Sequence, residues 1–273
     1  MCLPLCTLKL ADSLSRRSML RSLGVAACAT AISPLSLKAA QSQPRYSFSR
    51  VIDLTHTLSP AFPTPWKEPL ALEQISKLGE QKWNIFRWHL NEHIGTHLDA
   101  PLHCTNLDSG DRIPAEQLLG SLVVVDIRER AEVNPDCQLT LDDLRRWEKK
   151  HDRIPDGAVV AMFSGWDAHV HDPRRFLGLD EKGAYHLPGF SLEAVRFLHE
   201  QRSVKGIASD TLNLDASSAG DFPVHHFWLG QNKWGLENIA NLGQVPPKGA
   251  TIVVGSPKIA GCTGGPSRVF ALL

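Results

Sequence analysis

Residues 121–127 of the chain read Ser-Leu-Val-Val-Val-Asp-Ile, a short apolar run that is rich in β-branched side chains. A run of this length and composition predicts a buried strand. The same signal returns at residues 158–163, 204–208 and 250–254. The chain after residue 120 therefore contains several buried strands.

Helical segments separate these strands. Thr140, followed by Asp142 and Asp143, predicts a helix that begins there and runs to about residue 150, with acidic residues at its positive end. Ser191 is an N-cap for a second helix from residue 192 to about residue 201. Strands that alternate with helices indicate an α/β domain. Because no repeat or long linker interrupts residues 41–273, we expect a single domain there.

Residues 93–103 read His-Ile-Gly-Thr-His-Leu-Asp-Ala-Pro-Leu-His. Imidazole nitrogens and carboxylate oxygens are the ligands that hold Zn²⁺ and related divalent ions. A turn at residues 95–96 followed by an extended stretch would point His93, His97 and Asp99 at one centre. His103 would lie a little further along the same wall. The alternative is that these histidines are solvated loop residues, but a glycine and a proline among them control the backbone shape.

Residues 1–40 resemble an export signal. The pair Arg16-Arg17 precedes a mildly apolar stretch from residue 24 to residue 37 and a small-residue end near residues 39–40, which is typical of a twin-arginine signal. The stretch is too short and too weakly apolar for a membrane span. We therefore expect the twin-arginine export machinery as a partner, no stable membrane insertion, and a periplasmic or exported protein.

The remaining chain is mildly acidic. Five basic residues and one acidic residue of the 29 of each sign lie in residues 1–40, which leaves a net charge of −4. This balance gives no support for nucleic acid or an anionic membrane surface as a partner. The three cysteines after residue 40 are odd in number and widely spaced, so they do not form a disulfide framework.

A second candidate segment spans residues 210–244, which show little periodicity. Long irregular stretches in compact domains are often functional. This one contains acids and histidines that could complete a metal site, although such residues are usually just solvated: Asp210, Asp215, His225, His226 and Glu237.

Together the two segments resemble the cyclase family of metal-dependent hydrolases, which includes bacterial-type kynurenine formamidases and isatin hydrolases. The family motif His-x-Gly-Thr-His-x-Asp-x-Pro-x-His is matched at every fixed position of residues 93–103. A downstream histidine followed after twelve residues by Glu-Asn is matched by His225 and by Glu237-Asn238. The resemblance implies a β/β/α arrangement and a homo-oligomer.

The resemblance also implies a ligand set. His93, His97 and Asp99 would bind a first divalent ion, and Asp99 would bridge to a second ion held with His225 and Glu237. Zn²⁺ and Mn²⁺ both suit these ligands, and the sequence leaves open whether one or two ions are bound per chain.

Two further residues receive roles from the resemblance. His103 would be the catalytic acid/base, and Trp66 falls where kynurenine formamidases place a substrate-contacting tryptophan. The chain continues Trp66-Lys67-Glu68-Pro69 instead of the usual Trp-Pro-Gly-Asp, which weakens the case for a kynurenine-type substrate. Other aromatic residues precede the motif, and most of them are expected in the core: Trp83, Phe86 and Trp88.

The expected function is hydrolysis of a C–N amide bond in an aromatic or cyclic substrate. A bound divalent ion polarises a carbonyl and lowers the pKa of its water to about 7. Two alternatives remain open at this point. The same site could hydrolyse a lactone or carbamate, or catalyse a cyclisation or dehydration. The chain could also be a periplasmic metal-binding protein without catalysis.

Overall fold

A computed structural model describes residues 48–67 and 70–273. The predicted export signal at residues 1–40 lies outside the described residues, as do positions 68 and 69. The described strands are β1 (Val51–Asp53), β2 (Leu70–Ser76), β3 (Ile85–Leu90), β4 (His97–Asp99), β5 (Leu119–Asp126), β6 (Gln138–Leu139), β7 (Val159–Phe163), β8 (Gly189–Phe190), β9 (Gly206–Ser209), β10 (Trp234–Glu237), β11 (Ala250–Gly255), β12 (Gly264–Pro266) and β13 (Arg268–Leu272). The described helices are α1 (Arg128–Val133), α2 (Leu141–His151), α3 (Pro173–Phe176), α4 (Leu192–Glu200) and α5 (Pro223–Gly230).

Nine strands form one mixed sheet in the order β1-β13-β11-β5-β7-β9-β10-β4-β12. The central strands β5, β7, β9 and β10 run parallel to one another. The flanking pairs are antiparallel, including β10 with β4 and β4 with β12. Short two-stranded sheets, β2-β3 and β6-β8, stand apart. The α/β prediction is confirmed.

The β-branched runs are strands because both of their faces are buried. Val123 and Val125 of β5 pack into a core shared with the helices, whereas Leu122 and Val124 pack into a second core on the opposite face of the sheet. This alternation is the two-residue period of a strand. All four strands predicted from apolar runs are present, as β5, β7, β9 and β11.

The predicted helix starts are also confirmed. The Thr140 hydroxyl accepts a hydrogen bond from the Asp143 N–H at 3.3 Å, and the Asp143 carboxylate accepts one from the Thr140 N–H at 2.8 Å. This reciprocal pair is a capping box, which satisfies two N–H groups at the start of α2. Ser191 caps α4 by a single bond, in which its hydroxyl accepts the Ala194 N–H at 3.2 Å.

The prediction that residues 210–244 are irregular is wrong, and so is the prediction that most of the aromatic residues before the motif lie in the core. Residues 210–244 contain α5 and β10, which are too short to show a period in sequence. The aromatic side chains predicted in the core are exposed, with Trp83 at 56%, Phe86 at 48% and Trp88 at 69%. They belong to the β2-β3 hairpin, which pairs with no strand of the main sheet. In residues 48–67 and 70–273, no helix is long and apolar enough to cross a membrane.

Candidate metal centre

The backbone of residues 93–103 turns, extends and then turns again. Gly95 has a φ of 62°, in the left-handed region that glycine adopts without strain. Residues His97 to Asp99 then form β4, so His97 and Asp99, two residues apart, point to the same face. A 3₁₀ turn from Pro101 to His103 follows and brings His103 back towards that face.

The rest of the site comes from residues 210–244. In the β4-β10 ladder, Glu237 lies directly opposite His97. His225 projects from α5, and its Nε2 lies 3.2 Å from Glu237 Oε1 and 3.5 Å from Asp99 Oδ2. The structure thus brings the downstream pair to the first motif although more than a hundred residues separate them in the sequence.

Of the five sequence-predicted ligands, the three histidines surround the two buried carboxylates. His97 Nε2 lies 3.3 Å from Asp99 Oδ1 and 3.4 Å from Glu237 Oε2. His93 Nδ1 lies 2.7 Å from Asp99 Oδ1. Asp99 is completely buried and Glu237 is nearly so. Asp99 occupies the centre, because its two oxygens face different histidines.

Hydrogen bonds on the far side of two rings fix which nitrogen faces the carboxylates. His97 Nδ1 donates to the Gly95 carbonyl at 2.8 Å, and His225 Nδ1 donates to Asp215 Oδ2 at 2.7 Å. In a neutral imidazole the other nitrogen, Nε2, then carries a lone pair.

Lone pairs that face carboxylates repel them unless a cation lies between. Within the described residues, two buried atoms at this centre have no hydrogen-bond partner, His97 Nε2 and Asp99 Oδ2. Imidazole nitrogen and carboxylate oxygen are the donors that Zn²⁺ and Mn²⁺ accept. The residues therefore fit a divalent ion.

Asp99 is shared by two groups of candidate ligands. In the first group, ligand atoms of His93, Asp99 and His103 lie within 4.8 Å of one another, and in the second group those of His97, Asp99 and Glu237 do so. A carboxylate shared in this way is the arrangement expected for a bridged pair of ions, and the second group is wholly buried.

The charges of the centre shift its pKa values. Burial opposes protonation of His97, but the Asp99 and Glu237 carboxylates prevail and raise its pKa to about 9. Burial would raise the pKa of Asp99, yet His97 and the other two histidines hold it well below its ordinary value. Burial and the Asp99 charge raise the pKa of Glu237. The centre is thus a concentration of negative charge that favours protons or a metal cation.

His103 differs from the other histidines of the centre. Desolvation lowers its pKa to about 4, so its imidazole is neutral at pH 7. Its ring lies 3.8 Å from the His93 ring and 6.0 Å from the His225 ring, measured between centroids. A neutral imidazole beside a metal site can accept and return a proton.

A cavity of about 340 Å³ opens onto the centre. Its walls include the aromatic side chains of Phe62, Trp66 and Phe222. The Trp66 indole N–H donates to the His93 carbonyl at 2.8 Å, which fixes the ring at the rim with 44% of the residue exposed. Such a cavity suits a flat aromatic molecule.

Other candidates of residues 210–244 play different parts. The Asp210 carboxylate accepts the N–H groups of Ser164, Gly165 and Trp166 and is not part of either ligand group. His226 lines the cavity but is also outside both groups. His225 is outside both groups as well, but its Nε2 lies 3.2 Å from Glu237 Oε1.

Asp215 is likewise in neither ligand group, and the structure gives it a different role. Its carboxylate accepts from the N–H groups of Val224 at 2.7 Å and His225 at 3.0 Å, as well as from His225 Nδ1. It therefore caps α5 and orients a candidate ligand. The only sequence signal was its position in the same segment, ten residues before His225.

The chain matches known proteins over most of its length. Residues 52–216 match the family model described as "Putative cyclase". The isatin hydrolase of Roseibium aggregatum is 33% identical over 242 residues, which cover 82% of this chain and 91% of the relative. The kynurenine formamidase of Erythrobacter litoralis is 28% identical over 201 residues, covering 72% and 82%.

Solved structures show the same likeness. Isatin hydrolase A from Ralstonia solanacearum is 39% identical with a TM-score of 0.76, and the match covers 82% of this chain and 92% of that one. An isatin hydrolase bound to the product analogue thioisatinate is 32% identical, with the same TM-score and coverage. The fold, the ligand-rich centre and the aromatic cavity thus occur in a chain similar to amide hydrolases.

Proposed function

We propose, since this chain belongs to the cyclase family and is a metal-dependent hydrolase of C–N amide bonds, that its substrate is a cyclic aromatic amide of the isatin type. One observation carries the proposal. Histidine side chains converge on two buried carboxylates, Asp99 and Glu237, beside an aromatic-walled cavity.

We further propose that the centre holds Zn²⁺ or Mn²⁺, as one ion or as a pair that shares Asp99. The ligands would be His93, His97, Asp99, His225 and Glu237. When bound, a divalent ion supplies Lewis acidity, which makes an amide carbonyl a better electrophile and lowers the pKa of water.

His103 would act as the acid/base of the reaction. Because its pKa is about 4, the imidazole is deprotonated at neutral pH and can take a proton from water that attacks the carbonyl. The resulting imidazolium can then give that proton to the departing nitrogen. Its contact with the His93 ring holds it beside the centre.

The cavity favours a compact substrate. Trp66 and Phe222 come from distant parts of the sequence and both line the cavity, with 44% and 52% of each residue exposed. An indole-derived ring that lies between aromatic walls gains stacking contacts and apolar burial. Relatives named isatin hydrolase are 32–39% identical to this chain, whereas the kynurenine formamidase is 28% identical. The open-chain amide N-formylkynurenine is therefore the second candidate substrate.

The proposal is tested by following isatin and N-formylkynurenine by absorbance with the metal-loaded protein. We expect isatin to be opened to its amino-acid product with a higher kcat/KM than N-formylkynurenine. His103→Ala should keep its metal and lose about 10²–10⁴-fold in kcat. Turnover of neither compound by metal-loaded protein would overturn the substrate assignment. Loss of metal in His103→Ala would make His103 a ligand instead of the acid/base.

We also propose that the protein is exported by the twin-arginine route and acts in the periplasm. The support is the Arg16-Arg17 pair and the apolar stretch that follows it. Arg16→Lys combined with Arg17→Lys should retain the protein in the cytoplasmic fraction. Unchanged export of this double variant would contradict the proposal.

Finally, we propose a homo-oligomer whose contacts include the β2-β3 hairpin. Leu72 lies opposite Trp88 in the hairpin ladder, and Phe86 lies on the same face, all at least 48% exposed. An isolated two-stranded hairpin is marginally stable in water, so a second copy that covers this face would stabilise it. Light scattering should give a multiple of the chain mass, and Trp88→Glu should lower it. A monomeric wild type would refute the proposal.

A further inference from the structure

We propose that Thr263 and Glu92 are positioning residues that fix the proton of His93 on Nε2, which leaves Nδ1 free to bind the metal. The inference rests on the metal centre proposed above. It concerns a segment that follows β11 and lies beyond residue 216, where the family match ends.

The direction of each hydrogen bond follows from the chemistry of the donors. A carboxylate only accepts, and Glu92 Oε2 accepts both the Thr263 N–H at 3.1 Å and the Thr263 hydroxyl. A hydroxyl has one proton, and that of Thr263 is used on Glu92. The contact of 2.9 Å between Thr263 Oγ1 and His93 Nε2 therefore needs the proton on the imidazole.

The other nitrogen of His93 is thereby assigned. A neutral imidazole with its proton on Nε2 carries a lone pair on Nδ1. That atom lies 2.7 Å from Asp99 Oδ1, the oxygen that also faces His97. The Glu92–Thr263 pair thus turns a lone pair towards the shared carboxylate, which is the state required of a metal ligand.

The other two histidines can be assigned in the same way, but with the proton on Nδ1 and the lone pair on Nε2. His97 and His225 keep their protons on Nδ1, against Gly95 and Asp215, and turn Nε2 to the centre. Each of the three candidate histidine ligands therefore has an acceptor behind it. Such acceptors behind metal-bound histidines fix the tautomer and ring orientation, and their loss typically costs 10–100-fold in metal affinity or activity.

The backbone holds Thr263 firmly against His93. The Thr263 carbonyl accepts the Ala100 N–H at 2.9 Å, and the next residue, Gly264, pairs with Asp99 in the β4-β12 ladder. A Cβ at Gly264 would lie 2.8 Å from His93 Cε1, so only a glycine permits this approach. The site thus depends on a strand pairing that places the Thr263 hydroxyl at one specific ring nitrogen.

The test removes the acceptor with little change of shape. Apoprotein of wild type and of Thr263→Val is titrated with Zn²⁺ in competition with a chromophoric chelator. We expect Thr263→Val to bind Zn²⁺ about 10–100-fold more weakly. Thr263→Ser keeps the hydroxyl and should recover most of the affinity. Glu92→Ala frees the hydroxyl proton to turn towards His93 and should also weaken binding.

Thr55→Val is the matched control. Its hydroxyl donates to the Val269 carbonyl at 3.2 Å and accepts the Val269 N–H at 2.8 Å, and it bonds none of the proposed metal ligands. This variant should lose stability without losing Zn²⁺ affinity. Equal affinity of Thr263→Val and wild type, or no recovery in Thr263→Ser, would overturn the positioning role. A wild type that binds no Zn²⁺ would instead overturn the metal centre itself.

Discussion

Replacing Asp215 by alanine should destabilise the protein even without metal. Two backbone N–H groups at the start of α5, those of Val224 and His225, would lose their acceptor inside the protein. Each buried group left unpaired costs about 1–3 kcal/mol. Water that enters the vacated space recovers part of this, so we expect a loss of about 2–3 kcal/mol in the free energy of unfolding.

The assay is urea unfolding of the apoprotein in the presence of a chelator, so that metal binding does not contribute. Asp215→Asn is the matched variant, because one amide oxygen remains and can still serve one of the donors. It should fall between wild type and Asp215→Ala. An Asp215→Ala variant within about 0.5 kcal/mol of wild type, the range of an ordinary surface substitution, would refute this reasoning.

Three further predictions concern other parts of the molecule. Burial lowers the pKa of Lys233 to about 8 from its ordinary 10.5. Between these pH values the unfolded chain binds more protons than the folded protein, so the free energy of unfolding rises with pH. In Lys233→Met, urea unfolding should show a smaller rise with pH, and a rise equal to that of wild type would contradict this prediction. Trp66→Ala should raise KM for isatin about tenfold with little change in kcat, since it removes an aromatic contact worth about 1 kcal/mol or more; an unchanged KM would exclude Trp66 from the substrate site. Gly206→Ala would place a Cβ 2.4 Å from the buried Trp234 ring and should cost about 1–3 kcal/mol in urea unfolding, whereas no loss would show that the ring moves freely.

The parts of the fold that could be predicted are those whose signal lies within a few consecutive residues. The β5 run alternates between two cores, and Thr140 caps α2 through a residue three positions away, so both signals are local. The motif at residues 93–103 is equally local, because turn, strand and second turn follow one another directly. His97 and Asp99 are two residues apart in a strand, so their spacing alone predicts that they point to the same face.

Contacts between distant segments could not be predicted in this way. Thr263 meets His93 across 170 positions, through the pairing of β12 with β4. Nothing in the local sequence marks a threonine as the acceptor for a particular imidazole. Asp215 was visible only as one acid among several until the fold of α5 placed two N–H groups and a ring against it.

The β2-β3 hairpin shows a different limit of sequence reasoning. Large aromatic side chains are usually buried, and Trp88 was expected in the core. The hairpin instead leaves the main sheet, so its apolar face has no covering layer among the described residues. Apolar patterning indicates that a face is buried, but it does not tell whether the same chain or another one buries it.

The most direct test of the central claim is elemental analysis of the purified mature protein beside Asp99→Asn, with isatin turnover measured on the same samples. Asp99 faces three histidines, so the variant should lose the shared ligand of the whole centre. We expect one or two equivalents of Zn²⁺ or Mn²⁺ and turnover in wild type, and loss of both in Asp99→Asn. A wild type that takes up neither ion, or an Asp99→Asn variant with full metal content and turnover, would contradict this expectation.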